Sequence, residues 1–184
     1  MARVLIGVMG PGETATAADC AVAYVLGQGI ALADWGLLTG GRPQGVMAAA
    51  IAGAKSVGGF TVGVLPGSKV DAADPNLDVV IPTGLGNARN LLNVLASRVV
   101  IACGVGLGTI SEVALALKAS KPVIWVHCPP AGRALFETLA PHLLTVVETA
   151  DEALATVEAH LTPGSSTVKI CNNSDVKICN NSED

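Results

Sequence analysis

The chain has 184 residues, a length that suits one domain of ordinary size. Hydrophobic residues make up 51% of it and charged residues 14%, a composition that predicts a packed core and excludes a disordered chain. The formal net charge of −4 argues against nucleic acid as the main partner, because binding to the phosphate backbone needs a surplus of cations.

Short apolar runs alternate along the chain with longer alanine-rich segments of helical period. The apolar runs predict seven strands, at Val4–Met9, Gly36–Thr39, Thr61–Leu65, Val79–Ile81, Val99–Ala102, Val123–Val126 and Leu144–Val147. The other segments predict helices near Thr16–Asp34, Val46–Val57, Ala88–Ser97, Ile110–Ala119, Ala131–Leu139 and Asp151–Leu161. The alternation predicts a single-domain α/β fold, a Rossmann-like doubly wound parallel sheet of about seven strands with helices on both faces.

Five residues make local predictions within this pattern. Gly36 and Gly58 stand where the C-terminal glycines of helices are expected, and Asp151 stands where the N-cap of the last helix is expected. Gly27 and Gly29 count against the continuity of the first helix, because glycine weakens a helix interior.

The C-terminal segment differs in kind from the rest of the chain. Val168–Ser174 returns letter for letter as Val176–Ser182, and two copies are too few for a repeat fold. We therefore predict that residues 1–161 form the ligand-binding domain. Residues 162–184 are predicted to be a polar, disordered tail.

The sequence also makes a prediction about cellular location. No apolar run reaches the roughly 20 residues of a membrane span, and Met1–Arg3 leads into a strand pattern without the features of a signal peptide. The five cysteines are widely spaced, which is typical of reduced thiols. We expect a cytoplasmic protein with no membrane partner.

Glycine-rich loops follow the first, second, fourth and fifth predicted strands. Parallel strands place these loops at one edge of the sheet, where open α/β folds bind ligands, and each loop leads into a helix N-terminus that favours an anion. One such loop is uninformative, because tight turns use glycine for geometry alone, but four loops, two of them with arginine, predict a site for a phosphorylated small molecule. The predicted binding residues are Gly10, Pro11, Gly12, Thr39, Gly40, Gly41, Arg42, Gly45, Val46, Met47, Gly84, Asn87, Arg89, Gly104, Gly106, Leu107, Gly108, Thr109 and Glu112.

Two common nucleotide sites do not match these loops. Neither Gly7–Gly12 nor Gly104–Gly108 has the G-x-G-x-x-G spacing, and Thr39 stands where a ribose-binding acid is expected. No Gly-Lys-Ser/Thr follows a glycine loop, so NAD and ATP are both disfavoured. The histidines lack metal-ligand spacing, and no metal ligand is predicted.

Longer stretches resemble a known superfamily, the "lysine decarboxylase-like" Rossmann proteins that include the cytokinin-activating Lonely Guy enzymes. These stretches are Leu37–Gly41, Gly45–Met47, Gly53–Lys55 and Val62–Gly67. Within the superfamily the chain is most similar to the molybdenum cofactor carrier proteins of green algae. That similarity rests on Ile6–Gly12, Thr83–Gly86, Ala88–Arg89, Gly108–Thr109, Glu112–Ala119 and Lys121–Val123.

The carrier resemblance implies a function without catalysis. Such a protein binds, stores and protects the molybdenum cofactor, a pterin with a terminal phosphate whose dithiolene holds the metal, and delivers it to molybdoenzymes such as nitrate reductase. The resemblance also implies a homo-oligomer, either a dimer or a tetramer. The apolar helix segment Val113–Ala119 agrees with association, because a chain with 14% charged residues has little polar surface to spare.

An enzymatic alternative rests on the hydrolase branch of the same superfamily. Those phosphoribohydrolases release the base and ribose 5-phosphate from nucleoside 5′-monophosphates, with an Arg and a Glu around a P-G-G-x-G-T-x-x-E motif. Arg89 and Glu112 occupy the matching positions, with Glu112 expected in the first turn of a helix, where the helix dipole alone would favour an acid. However, the motif reads Gly-Val-Gly-Leu-Gly-Thr here, and the β-branched Val105 replaces a glycine. Catalytic roles for Arg89 and Glu112 are predicted only under this alternative.

Overall fold

The computed structural model describes residues 3–162. Within them lie seven strands, six α-helices and one 3-10 helix. The strands are β1 (Leu5–Met9), β2 (Gly36–Thr39), β3 (Phe60–Leu65), β4 (Val79–Pro82), β5 (Val99–Cys103), β6 (Val123–Val126) and β7 (Leu144–Val147). The helices are α1 (Ala17–Leu32), α2 (Gly45–Ser56), the 3-10 helix (Gly86–Arg89), α3 (Asn90–Ala96), α4 (Leu107–Lys118), α5 (Pro130–Leu139) and α6 (Ala150–Leu161). The predicted tail, residues 162–184, lies outside the described residues together with its duplicated segment, except for Thr162, which is the C-cap residue of α6.

All seven strands are parallel and form one sheet in the order β4-β3-β2-β1-β5-β6-β7. The chain moves outward from β1 to β4 on one side and then returns to the other side of β1 as β5. Gly7 therefore lies between Leu38 of β2 and Val100 of β5. This reversal opens a crevice at the carboxyl ends of β1 and β5, and it confirms the predicted doubly wound fold.

Helices cover both faces of the sheet. α1, α2 and α6 pack on the face that carries Ile6, Val8 and Ile101, whereas α3, α4 and α5 pack on the face that carries Met9 and Trp125. The central strands β1, β2, β5 and β6 are buried on both faces, as their unbroken apolar runs indicate, and the edge strand β4 is largely exposed. In residues 3–162 no helix has the length and hydropathy needed to cross a membrane.

The first helix is continuous, so the expected weakness at Gly27 and Gly29 is not seen. A Cβ on Gly27 would collide with the backbone carbonyl of Ala50 in α2, and a Cβ on Gly53 would collide with that of Tyr24 in α1. The two helices thus cross at glycines, and their close packing offsets the low helix propensity of that residue.

Two of the predicted helix-end residues are wrong. Gly58 does follow the end of α2 with φ = 75°, but Gly36 is the first residue of β2, and the left-handed position after α1 is taken by Asp34 with φ = 58°. Asp151 is not the N-cap of α6. Thr149 is, because its side chain accepts a hydrogen bond from the N–H of the third helical residue.

Candidate ligand-binding site

A cavity of about 350 Å³ opens at the carboxyl ends of β1 and β5. Its walls come from the loops after β1, β2 and β5 and from the turn that joins the 3-10 helix to α3. Thirteen predicted binding residues line it: Gly10, Pro11, Gly12, Gly40, Arg42, Met47, Asn87, Arg89, Gly106, Leu107, Gly108, Thr109 and Glu112. The topology therefore brings most of the predicted set together around one space.

Six predicted residues lie outside the cavity wall, namely Thr39, Gly41, Gly45, Val46, Gly84 and Gly104. Some of them hold the loops in place. The Thr39 hydroxyl accepts a hydrogen bond from the Gly41 N–H at 3.0 Å, and the Val46 N–H donates to the Pro11 carbonyl at 3.1 Å. The N–H of Gly84 instead donates to the carbonyl of Gly67, and neither Gly84 nor Gly86 contributes to the cavity wall.

Six lining residues were not predicted, namely Val8, Met9, Glu13, Thr14, Gln44 and Asn90. Glu13, Thr14 and Gln44 lie next to the glycines of the first two loops, and extending each motif by a few residues would have found them. Asn90 directly follows Arg89, where the 3-10 helix continues into α3. Its place in the wall depends on that continuation, for which the sequence carries no clear signal.

Two helix N-termini at the cavity have no side-chain cap. The hydroxyls of Thr16 and Thr149 cap α1 and α6, whereas the N-cap positions of α2 and α4, Gln44 and Gly106, make no side-chain cap hydrogen bond. Both of these N-cap residues line the cavity. The first N–H groups of a helix lack intrahelical acceptors and carry partial positive charge, so the uncapped start of α4 suits an anion. At the start of α2 the Val46 N–H is already used by the Pro11 carbonyl.

Packing against other protein atoms requires glycine at some positions of the cavity wall but not at others. A Cβ on Gly10 would lie 2.6 Å from both the Cys103 carbonyl oxygen and a methyl group of Val46, so packing within the protein excludes a larger residue there. A Cβ on Gly108, near the start of α4, would meet no protein atom within 4 Å. Protein packing therefore does not require glycine at position 108, and its small size leaves space in the cavity.

A buried ion pair forms part of the cavity wall. Arg89 Nη1 lies 3.3 Å from Glu112 Oε1, and the two side chains are 12% and 7% exposed. The same Glu112 oxygen accepts a hydrogen bond from Asn93 Nδ2 at 2.8 Å, while Arg89 Nη1 also donates to Asn90 Oδ1 at 2.9 Å. The sequence identified Arg89 and Glu112 but missed Asn93, which lies one helical turn after Arg89.

Burial decides the electrostatics of this pair. Loss of solvent raises the pKa of Glu112 to about 7, although the Asn93 hydrogen bond and the charge of Arg89 act in the opposite direction. Burial likewise lowers the pKa of Arg89, against the attraction of Glu112, and nearby Arg42 lowers it further. Arg89 and Arg42 therefore form a positive pair to which an anion can bind.

The helix dipole does not explain Glu112. Because α4 begins at Leu107, three residues before the predicted start, Glu112 lies in the second turn and not in the first. The dipole acts mainly within the first turn, and Glu112 is also removed from solvent. The presence of an acidic residue at position 112 therefore needs an explanation other than the helix dipole.

Three buried polar atoms near the pair have no hydrogen-bond partner within residues 3–162. They are Arg89 Nε, Asn93 Oδ1 and Thr109 Oγ1. A buried polar group without a partner costs about 1–3 kcal/mol. Arg89 and Thr109 both line the cavity, so two of these three unsatisfied groups belong to residues of the candidate site.

The cysteine nearest these loops does not suit a metal. Cys103 is buried at the end of β5, and its thiol donates to the Asp19 carbonyl at 3.3 Å. Burial, together with the charges of Asp19 and Cys20, raises the pKa of the Cys103 thiol to about 12. The thiol is thus neutral, and no group of three metal-ligating side chains is found within the described range.

A family model, that of the SLOG cluster4 family, matches residues 3–159, nearly the whole described part of the chain. The chain belongs to the SLOG cluster4 family.

Several proteins resemble this SLOG cluster4 chain over most of their length. The molybdenum cofactor binding protein of the phototrophic bacterium Rippkaea orientalis is 49% identical, with a TM-score of 0.86 and coverage of 88% of this chain and 99% of that one. The molybdenum cofactor carrier protein of Chlamydomonas reinhardtii is 44% identical, with a TM-score of 0.83 and coverage of 87% and 99%. An uncharacterised protein of Archaeoglobus fulgidus is 41% identical over 140 residues, which are 75% of this chain and 91% of that protein. The predicted resemblance to the carrier proteins is confirmed.

Proposed function

We propose that this protein binds the molybdenum cofactor as cargo, stores and protects it, and delivers it to molybdoenzymes such as nitrate reductase. One observation carries the proposal: a cavity of about 350 Å³ combines the uncapped N-terminus of α4 with Arg42 and Arg89. The similarity to the cofactor-binding protein of Rippkaea orientalis and to the carrier of Chlamydomonas reinhardtii supports this cargo over other phosphorylated molecules.

The residues present suit the chemistry of this cargo. The terminal phosphate of the cofactor is an anion for which the N-terminus of α4 and the guanidinium groups of Arg42 and Arg89 offer donors. Thr109, whose hydroxyl has no hydrogen-bond partner within residues 3–162, belongs to the cavity wall beside them. The molybdenum arrives on the dithiolene of the cofactor itself, so the neutral thiol of Cys103 is consistent with a site that holds the pterin and not the bare metal.

Carriage without catalysis is part of the proposal. In the hydrolase branch, Arg and Glu act on a nucleotide, but here Arg89 and Asn93 both hold Glu112 Oε1, and the carboxyl group is buried. Val105 in place of a glycine also alters the loop that precedes α4. These features favour a site that retains its ligand unchanged.

Self-association is also proposed, as a dimer or a tetramer. The predicted apolar segment of α4 is in large part buried, since Val113 and Ala116 face the core. Leu91, Leu92 and Leu95 of α3 and Ile110 of α4 remain 37–52% exposed and form what we call the α3/α4 surface. Several exposed apolar side chains on two neighbouring helices are typical of an interface.

We place this function in the cytoplasm. Cys20, Cys103 and Cys128 carry free thiols in the part of the chain that the structure describes. Reduced thiols are the rule in that compartment, and a cofactor sensitive to oxygen benefits from the same reducing conditions.

Pterin retention tests the proposed function. After purification, acid oxidation should release a fluorescent pterin whose amount follows the protein peak and exceeds that from an unrelated protein handled identically. Arg42→Ala should lower retention roughly tenfold or more, because a charge-assisted hydrogen bond contributes about 1.5–3 kcal/mol. Arg42 is exposed and makes no salt bridge within residues 3–162, so the fold should remain intact.

Arg133→Ala is the matched control. Arg133 pairs with Glu137 on α5, away from the cavity, and its loss changes the net charge by the same amount. Equal retention in wild type and both variants would exclude the assigned cavity. Release of ribose 5-phosphate from AMP, abolished in Glu112→Ala, would instead indicate a hydrolase.

A further inference from the structure

Glu112 carries the wrong charge for the wall of an anion site. It lines the same cavity as Arg42 and Arg89, at 3.3 Å from the Arg89 guanidinium. Glu13, from the loop after β1, is the other acid of the wall, but it is exposed to solvent. An ionised Glu112 repels a bound phosphate and competes with it for Arg89, and solvent does little to screen a buried carboxylate.

Arg89 is placed between the carboxylate and the ligand space. Its Nη1 donates to both Glu112 and Asn90, while its Nε is buried without a partner. Its Nη2 lies close to Gly40 in the cavity wall, where an added Cβ would be 2.7 Å away. One guanidinium therefore serves an internal carboxylate on one side and can serve a bound anion on the other.

We propose that ligand binding in this cavity is coupled to the uptake of one proton by Glu112. In the empty cavity Arg89 pairs with the Glu112 carboxylate, and when an anion binds, Arg89 pairs with the anion while Glu112 becomes a neutral acid. The neutral acid keeps a carbonyl oxygen for the Asn93 hydrogen bond. The coupling rests on one part of the proposed function, namely that the bound cargo is an anion.

The direction of the coupling follows from the charges that face Glu112. Burial has already raised the pKa of Glu112 to about 7, and Arg89 and Asn93 limit that rise. A bound anion adds a negative charge and takes a share of Arg89, and both changes raise the pKa further. Between about pH 7 and the higher pKa of the occupied state, an empty site therefore holds Glu112 ionised and an occupied site holds it protonated.

Cargo retention should consequently depend on pH. Below about pH 7 Glu112 is protonated in both states, so it adds no pH dependence to the affinity. Above that value one proton must be taken up on binding, and the affinity should fall about tenfold per pH unit until the pKa of the occupied state is passed. A rise in pH, or an acceptor surface that favours the ionised carboxylate, would release the cargo.

Calorimetry with inorganic sulfate tests the coupling in the protein itself. Sulfate stays a dianion across the range, so any proton taken up belongs to the protein. Titrations at about pH 8 in two buffers of different ionisation enthalpy should show close to one proton taken up per sulfate, and far fewer at about pH 6. Glu112→Gln retains an oxygen for Asn93, and it should take up no proton and bind sulfate with an affinity that varies little with pH.

Glu137→Gln is the control, because it removes an exposed carboxylate of α5 and should behave as wild type. The proton count on wild type is decisive even if Glu112→Gln folds poorly. Absence of sulfate binding, or a proton count near zero at both pH values, overturns the proposal.

Pterin retention between about pH 6 and pH 9 separates this proposal from the proposed function. Retention that falls with pH in wild type but not in Glu112→Gln supports both proposals. Retention that is independent of pH in both proteins leaves the carrier function standing and refutes the coupling. No retention at any pH refutes the carrier function.

Discussion

At the scale of single residues, Arg89, Asn93 and Glu112 act as one group. A buried ion pair seldom adds net stability, because the desolvation of two charges offsets their attraction. Glu112 keeps two donors on one oxygen and is still desolvated enough to have a raised pKa. The cost of holding this acid beside the cavity is better explained by its role toward a ligand than by the stability of the fold.

The raised pKa of Glu112 makes a prediction about stability in the absence of ligand. An acid whose pKa rises from 4.5 to about 7 on folding favours the folded state below pH 4.5, and that contribution is lost as the pH rises to about 7. Glu112→Gln lacks this loss, so its unfolding free energy relative to wild type should increase by up to about 3 kcal/mol over that range. Denaturant unfolding of both proteins at pH 5, 6, 7 and 8 measures the difference; a constant difference would refute the raised pKa.

Sequence patterns identified the backbone of the site better than its side-chain network. Gly106, Gly108 and Arg89 follow directly from loops whose position a parallel sheet dictates. Asn93 and Asn90 could not be found in this way, because their contacts depend on how the 3-10 helix continues into α3 and brings that helix against α4. A tertiary contact across 19 residues leaves no periodic signal in the sequence.

At the scale of elements, the crossing of α1 and α2 shows tertiary packing overriding propensity. Gly27 and Gly53 face each other's helix backbone, and a side chain at either position would force the helices apart. Burial of Ala23, Leu26 and Ala50 at the same contact provides the apolar stabilisation. Helix propensity takes no account of neighbouring elements. Gly27 stabilises the fold because its lack of a side chain lets the backbone of α2 come close.

Gly27→Ala should therefore destabilise the fold, although alanine favours helix. The new methyl group meets the Ala50 backbone, which cannot move without shifting α2, and overpacking of this kind costs about 1–3 kcal/mol. Gly29→Ala is the matched control in the same helix, because the atoms nearest to its methyl group belong to the side chain of Leu154, which can change rotamer, and not to a backbone. Thermal unfolding should rank wild type and Gly29→Ala well above Gly27→Ala, and equal loss in both variants would contradict the close crossing.

Element boundaries were less predictable than element types. The seven strands were all predicted, because apolar runs of three to six residues bounded by glycine or polar residues are typical of a parallel sheet. The start of α4 was missed by three residues, since Gly106 and Gly108 indicate a loop while the helix already includes Gly108. A glycine in the first turn of a helix resembles a loop residue in the sequence, so the predicted start of the helix is placed too late.

At the scale of the whole molecule, the low charged fraction of 14% leaves apolar residues on the surface as well as in the core. Leu95 of α3 is 52% exposed and Ile110 of α4 is 37% exposed, and these are the two helices whose Asn93 and Glu112 meet at the ligand site. If this surface joins copies of the chain, assembly and the ligand site share the same two helices. Association would then help to hold α3 and α4 in the positions that the ion pair requires.

Leu95→Lys tests whether the α3/α4 surface joins copies of the chain. A lysine there would be desolvated against an apolar partner, so we expect the assembly to shift toward monomer, as measured by light scattering during gel filtration. Leu32→Lys is the control, because Leu32 is 74% exposed at the end of α1, on the opposite face of the sheet. An unchanged mass in Leu95→Lys would place the interface elsewhere, whereas loss of pterin along with the change in mass would show that the cavity depends on assembly.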